Sequence, residues 1–312
     1  MDQTKFDSVW SGSSFTRKAS SNDIPGLPST PQERDAAFTA LLQVGGGLKK
    51  VAFALQQPLK NRLDYVAVGR KILLVDELPQ GEIPAYDLDI PEFGALRIAS
   101  RGVPPIHEAN IKRIEIPTWP LTVDHQIRWE EITIRRYPAF DRAKERCAIA
   151  MAIAEDDEVF KVVDAATNVE PELSEKPAAV APPVVKSHFA DLFARIAGRQ
   201  LVPGAYLVNA KRYGDILKWA TADLDQVSLN IIIETGQFGV LFGTRLIVST
   251  RLPYNKIYCV TTPDKLGRIP ERKAVEVKIF DNVRETLYDV VAWEQIGIGI
   301  HNPAGVAVQE IS

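Results

Sequence analysis

The chain has 312 residues, 46% hydrophobic and 25% charged, with 37 lysines and arginines against 40 aspartates and glutamates for a net charge of −3. These proportions exclude wholesale disorder, and the length suits about two compact cores. Near-neutral charge excludes the polybasic field that grips a phosphate backbone tightly.

Residues 1 to 29 are rich in Ser, Asp, Asn, Gly and Pro with scattered apolar side chains. They cannot bury enough surface to fold alone and read as an arm that needs a partner surface. Thr30, Pro31 and Glu33 then make a capping box, in which two orphan amides are satisfied reciprocally. Phe38, Leu41 and Leu42 give that helix its apolar face, and Gly45, Gly46 and Gly47 end it. A second helix is expected over 48–63, after which KILLVDEL opens extended structure. From Pro79 to Pro120, seven prolines and Gly81, Gly94 and Gly102 forbid a long helix. They leave short strands in IPAYDLD, LRIAS and KRIEI. A stretch of about forty residues with no core is uncommon in a compact domain, so Phe93, Leu96 and Ile98 are expected to find burial on another subunit. Ile127 and Trp129 fall where the returning extended strand packs.

From Tyr137 to Ala166 there is neither Gly nor a further Pro beyond Pro138, and Phe140, Ala143, Cys147, Ala150, Met151 and Ala154 recur at helical spacing. The helix would run roughly 40 Å. The acidic run Glu155 to Glu158 leaves open one helix or two, and its Asp156–Asp157 pair reads as a solvated face. Residues 170 to 186 form a proline-rich linker. Ser187 is expected to cap a helix with Phe189, Leu192, Phe193 and Ile196 on its buried side and Gly198 at its end. Strand AYLVN follows, with Asn209 placed to cap a helix carrying Tyr213, Ile216 and Leu217. Glycines 236 to 243 read as tight turns in a sheet. AVEVKIF alternates Val275, Val277 and Ile279 against Glu276 and Lys278, and ETLYDVVAWEQIGIGI is long enough for an extended strand. The class is α+β, with helices and antiparallel strands in separate blocks.

Candidate chemistry is sparse. GGGLKK at 45 to 50 lacks the G-x-x-x-x-G-K-[ST] spacing of a phosphate loop and reads as a joint between helices; GQFGVLFG lacks G-x-G-x-x-G. His107, His125, His188 and His301 are far apart, and HEANI is not H-E-x-x-H. Cys147 and Cys259 have no zinc or C-x-x-C spacing and read as buried, reduced thiols. No G-x-S-x-G occurs. The expectation is therefore no catalytic, cofactor-binding or metal-binding residues, no cofactor, and no enzyme activity. MDQTKFDSVWSGSS lacks the apolar core of a secretory signal, and CAIAMAIA at 147 to 154 is too short for a membrane span. A soluble, intracellular product without membrane contact is the corresponding expectation.

The order of segments resembles the tailed-bacteriophage major capsid protein family, the Hong Kong 97 phage capsid fold. Three stretches carry the resemblance: YLVNAKRYGDILKW, with Asn209 ending a strand and Tyr213 on the helix; GTRLIVSTRLPYNKIYCV, with Gly243 before a strand and a turn at Leu252 and Pro253; and YDVVAWEQIGIGIHNPAGVAVQEI, with Asn302 and Pro303 at a turn. The resemblance implies an N-terminal arm (1–47), an arm or peripheral-domain helix and strand (48–78), an extended loop (79–120), a peripheral domain with a spine helix (121–179), an axial domain (180–268) and closing peripheral strands (269–312). It implies a major capsid protein that self-assembles as hexamers and pentamers into the icosahedral head of a tailed phage. Such a head encloses double-stranded DNA without specific recognition and is assembled in the host cytoplasm. Its partners would be itself and the portal, scaffolding and decoration proteins. Some relatives join Lys to Asn covalently; nothing in the spacing requires Lys112 and Asn302 to meet, so that chemistry is not carried over. The alternatives are an encapsulin-type nanocompartment shell, disfavoured by the polar stretch from Ser11 to Ser29, and a soluble enzyme or binding domain of unknown type.

Overall fold

The computed structural model describes residues 46–79, 81–87, 113–134, 139–169, 179–180, 183–219 and 239–311. In chain order these form α1 (Gly47–Val66), α2 (Gly69–Ile72), β1 (Leu74–Glu77), β2 (Ala85–Asp87), β3 (Arg113–Glu115) and β4 (Thr118–Arg128). Next come α3 (Trp129–Ile134), α4 (Ala139–Val169), α5 (Lys186–Gly198), β5 (Pro203–Asn209), α6 (Ala210–Ile216), β6 (Val240–Leu241) and β7 (Thr244–Ser249). The chain closes with β8 (Lys256–Thr261), α7 (Pro263–Leu266), β9 (Gly267–Asn282), β10 (Leu287–Gly297), β11 (Gly299–Ile300), a 3₁₀ turn (Pro303–Gly305) and β12 (Val306–Glu310). The chain divides into two compact units, one from the described parts of Met1–Ala67, Trp119–Ala154 and Lys273–Gln295, the other from those of Val68–Thr118, Glu155–Arg272 and Ile296–Ser312.

The first unit packs helices on one face of a sheet. Val51, Leu55, Leu59 and Leu63 recur every four residues along α1 and are almost fully buried, which makes a single apolar stripe. Pro58 lies inside this helix, where a ring normally removes one backbone bond; the stripe holds the helix through it, and Gln57 Nε2 spans the site by donating to Asn61 Oδ1 (2.8 Å). The stripe meets Phe140, Ala143, Cys147, Ala148 and Met151 of α4. Small residues among these allow close approach. Beneath lie Val275, Val277 and Ile279 of β9, Val290 and Ala292 of β10, and Ile127 of β4. The alternation read in AVEVKIF thus faces Val275, Val277 and Ile279 inward, and LYDVVAWEQIG is the long strand expected, with Glu285 and Thr286 in the turn before it.

The second unit is built on the sheet β12-β8-β5-β7-β6. β5 and β7 run parallel, Ala205↔Arg245 to Asn209↔Ser249, whereas β8 lies antiparallel to both β5 and β12. The parallel pair needs a crossover, which α6 begins. α5 covers the sheet with Phe189, Leu192 and Ile196. Phe189 stands edge-on to Tyr206 (centroids 5.1 Å) and to Trp219 (5.8 Å), an arrangement that matches ring edge to ring face. In the same unit the start of β9 pairs parallel with β1, from Leu74↔Arg268 to Glu77↔Glu271, and antiparallel with β11.

Several sequence expectations need correction. Ser187 is not a cap: α5 starts one residue earlier, with Val185 at the cap and no side-chain oxygen there. Its N–H instead donates to Nδ1 of His188 (3.3 Å). Lys71 and Ile72 of KILLVDEL belong to α2, and Trp129 opens α3 rather than continuing β4. The acidic run neither breaks nor recaps α4, a single helix of 31 residues, and Glu155 and Asp156 are buried at 1% and 6% exposure. They have partners in a distant segment, described next. The capping box at Thr30, the LRIAS strand, Phe93, Leu96, Ile98, Gly236, His107, Lys112 and most of the proline-rich linker lie outside the described residues.

Candidate functional site

Asn209 does cap α6, as its position after AYLVN suggested. Its Oδ1 accepts from the Lys211 N–H (2.9 Å), and its Nδ2 donates to Leu252 O (2.5 Å). One side chain therefore starts the helix and fixes the Leu252–Pro253 turn. Arg212 completes this corner: Nε donates to Tyr254 O (3.0 Å) while the guanidinium stacks 4.7 Å from the Tyr254 ring centroid. Gly243, with φ of +75°, follows Phe242 at +51° in the two-residue turn joining β6 to β7. Such a turn needs left-handed backbone at both positions, which Gly adopts without cost.

The excursion between β2 and β3 has a firmly held base. Ala85↔Glu115, Tyr86↔Ile114 and Asp87↔Arg113 form the ladder, and Ile116 N–H donates to Pro84 O (2.9 Å). Tyr86 OH donates to Asp76 Oδ2 (2.8 Å), and Arg268 lies 3.7 Å from the same oxygen and 5.5 Å from the Tyr86 ring centroid. Burial first, then the bond to Asp76, keeps this phenol protonated far above its ordinary range. The ladder is thereby tied to β1 and β9, so the chain from 88 to 112 leaves and returns at one fixed place.

α2 is held to the second half of α4 through charge. Arg70 Nε lies 3.0 and 3.1 Å from the two oxygens of Glu155, and its Nη1 lies 3.6 Å from Glu271 Oε2. All three side chains are at most 3% exposed. The Gly69 N–H donates to Asp156 Oδ1 (2.7 Å). A Cβ at Gly69 would come 2.7 Å from Val159 Cγ2, so glycine is what lets α2 approach this closely.

The outward face of the β9, β10 and β4 strands lies opposite the buried set. Alternation with the buried set places Thr122, Asp124, Gln126 and Arg128 of β4 there, with Asp289, Val291 and Trp293 of β10 and Glu276, Lys278 and Phe280 of β9. Lys278 Nζ sits 4.5 Å and Lys273 Nζ 5.1 Å from the Trp293 ring centroid, and Glu276 pairs with both lysines. Phe280 is 52% exposed. Burial, then the Asp289 charge, raises the Asp124 carboxyl above its ordinary value. Reading AVEVKIF identified Glu276 and Lys278 as outward; Trp293 and Asp124 have the same two-residue period in their own strands, a signal not used there.

No catalytic constellation assembles among the described residues. His125 lies in β4, His188 in α5 and His301 ahead of the 3₁₀ turn, and burial lowers the pKa of the first two. No group of three or more His, Cys, Asp or Glu among the described residues could hold a metal ion. Lys49 and Lys50 lie in the first turn of α1. Cys147 and Cys259 are buried free thiols, as expected, and burial pushes them up to about 11 and about 12. Among the described residues no helix is long and apolar enough to cross a membrane. Asn302 is 5% exposed.

The fold has solved counterparts. A virus-like particle from Pyrococcus furiosus is 15% identical, with 84% of this chain and 99% of that one covered at a TM-score of 0.54. A structure from Microbacterium phage Oxtober96 is 9% identical, covering 79% and 91% at 0.60. The capsid of an empty GTA particle is 16% identical, covering 79% and 90% at 0.59. No protein-family model and no curated protein matches the sequence. At these identities the likeness establishes the fold, and the fold is the α+β capsid fold of the Hong Kong 97 type.

Proposed function

We propose that the chain is a capsid shell protein: copies assemble as hexamers and pentamers into a closed icosahedral head around the double-stranded DNA of a tailed phage. The observation that carries this reading is the match of about four fifths of the chain to the structures of a virus-like particle and of a capsid. A polypeptide with an arm lacking a core and a 25-residue excursion on a two-stranded base has the parts with which heterologous contacts close rings and then link them. In this reading 1–47 is the arm, 79–120 the extended loop, 121–179 and 269–312 the peripheral domain, 180–268 the axial domain, and α4 the spine helix. The shell protein acts structurally, without cofactor or catalysis, in the virion after assembly in the host cytoplasm with portal, scaffolding and decoration proteins. Near-neutral charge suits a container, since tight phosphate binding would hinder packing and release.

A second reading, an encapsulin-type compartment, is favoured by the virus-like particle from Pyrococcus furiosus. Electron microscopy of the purified chain with nuclease digestion separates the two. Shells retaining nuclease-protected double-stranded DNA support the phage head; shells enclosing protein and no DNA support the compartment. Deleting residues 1 to 29 should leave folded subunits with few particles, and an unchanged particle yield would show that the arm plays no part.

A further inference from the structure

The two layers of the first unit differ in charge. α1 and the first half of α4, from Ala139 to Ala154, carry seven lysines and arginines against three acids, whereas β4, β10 and the part of β9 from Lys273 carry three against five. On α1 the exposed residues Lys49, Lys50, Gln57 and Asn61 lie on the side of the helix opposite Val51, Leu55, Leu59 and Leu63. On α4 Arg142 and Arg146 are exposed, one turn apart and turned away from Phe140, Ala143 and Cys147. The Arg62–Glu145 pair joins the two helices, so their exposed sides adjoin.

Some cations on this surface are neutralised and others are not. Arg62 pairs with Glu145 and Lys144 with Asp141, but Arg142 and Arg146 meet no acid among the described residues. Both act on His125 of β4. Burial first, then Arg146, lower the pKa of that imidazole, Arg142 adds to the fall, and Glu131 and Asp124 oppose it. The two guanidinium groups therefore lean toward one place, beside a ring kept neutral. Like charges four residues apart on a helix repel, and an anion lodged between them relieves the repulsion. Phosphate suits such a pair, because its oxygens take the planar guanidinium fork two at a time.

We infer that the exposed side of α1 and α4 is the face that meets the enclosed double-stranded DNA, with Arg142 and Arg146 on backbone phosphates and Lys49 and Lys50 adding further contacts. This contact presupposes the shell reading above and adds the groups that hold the nucleic acid. About four phosphates per copy give weak, sequence-independent binding, which suits a polymer that must enter and leave. Repeated over many copies, the contacts sum.

Fluorescence anisotropy tests the contact, with a random-sequence duplex of about 30 base pairs added to the freshly purified full-length chain at about 50 to 200 mM salt. Electron microscopy of the same preparations scores particles. Native binding should fall steeply with salt. Arg142→Ala/Arg146→Ala should bind about tenfold more weakly at the lowest salt and reduce the slope of log affinity against log salt by about 2. Arg142→Lys/Arg146→Lys keeps both charges and should keep the slope. Lys211→Ala/Lys218→Ala removes two exposed charges from the second unit and should bind as the native chain does. Native binding by Arg142→Ala/Arg146→Ala, or an equal loss in both alanine variants, overturns the contact and leaves the shell reading intact where particles form. Tighter binding of polyglutamate than of the duplex also overturns it, and marks a face for acidic protein segments instead. Absence of particles with the expected binding pattern overturns the shell reading alone.

Discussion

From Ala139 to Ala154, α4 packs through an apolar ladder, Phe140, Ala143, Cys147 and Met151, each with no exposed surface. From Glu155 onward the same helix is also anchored through carboxylates, two of them, Glu155 and Asp156, buried. Glu155 is held by Arg70, Asp156 by the Gly69 amide, and Asp164 Oδ1 accepts from Lys256 Nζ (2.7 Å) and Tyr258 OH (2.8 Å). Val159 and Val163 still pack there, but position along the helix is set by charge and hydrogen bonds with fixed geometry. An apolar ladder tolerates small slips; a buried guanidinium with Nε on Glu155 and Nη1 beside Glu271 does not. One half of the helix therefore supplies bulk adhesion and the other supplies register.

The contrast can be broken at its strongest point first. Arg70→Ala strips the compensating charge from Glu155 and Glu271 and should cost about 3–5 kcal/mol in urea unfolding; a loss below about 1 kcal/mol would mean that the buried pair does not set the second half. Met151→Ala leaves a cavity in the ladder and should cost about 2–5 kcal/mol by the same measurement, with retained register reported by unchanged near-ultraviolet circular dichroism. Tyr258→Phe removes one of two donors to Asp164 and should cost about 1 kcal/mol, since Lys256 remains.

Asp156 gives a pH signature. Burial raises its carboxyl, against the Gly69 and Val68 amides and Lys71, which lower it, while Asp157 adds to the rise. The folded chain thus binds this proton more tightly than the unfolded one. Its stabilisation is fully present below the ordinary aspartate value of 3.8 and is lost as pH rises through the folded value. Relative to Asp156→Asn, the native chain should gain stability as pH falls from neutral toward 4; a gap that stays constant contradicts the assignment. The smallest effect belongs to the surface. Arg62 and Glu145 pair at 2.5 Å with side chains 30% and 49% exposed, and Arg62→Ala should change stability by less than about 1 kcal/mol and less still in high salt.

The same contrast explains what sequence could reveal. Apolar residues at period 3.6 or 2 announce their own burial, so α1, the first half of α4, α5, β9 and β10 were legible, as was Asn209, whose capping is local. Glu155 and Asp156 were read as solvated because nothing beside them signals Arg70 or Gly69, more than eighty positions away. Ser187 failed as a cap because α5 starts at Lys186, which puts Ser187 inside the first turn, while the His188 ring at the third helical position takes the N–H of the cap residue Val185. Trp129 turned into α3 because strand β4 ends one residue earlier, at Arg128. The outward face was half legible: the alternation gave Glu276 and Lys278, whereas the meeting of Asp124 with Asp289 depends on which strands are neighbours.

Mass photometry of the freshly purified full-length chain at physiological salt probes the shell reading most directly. Closed particles of one narrow, multi-megadalton mass, with ring-sized species during assembly, are the anticipated outcome. A single species at the mass of one chain, unchanged across concentration and stable to prolonged incubation, would contradict it.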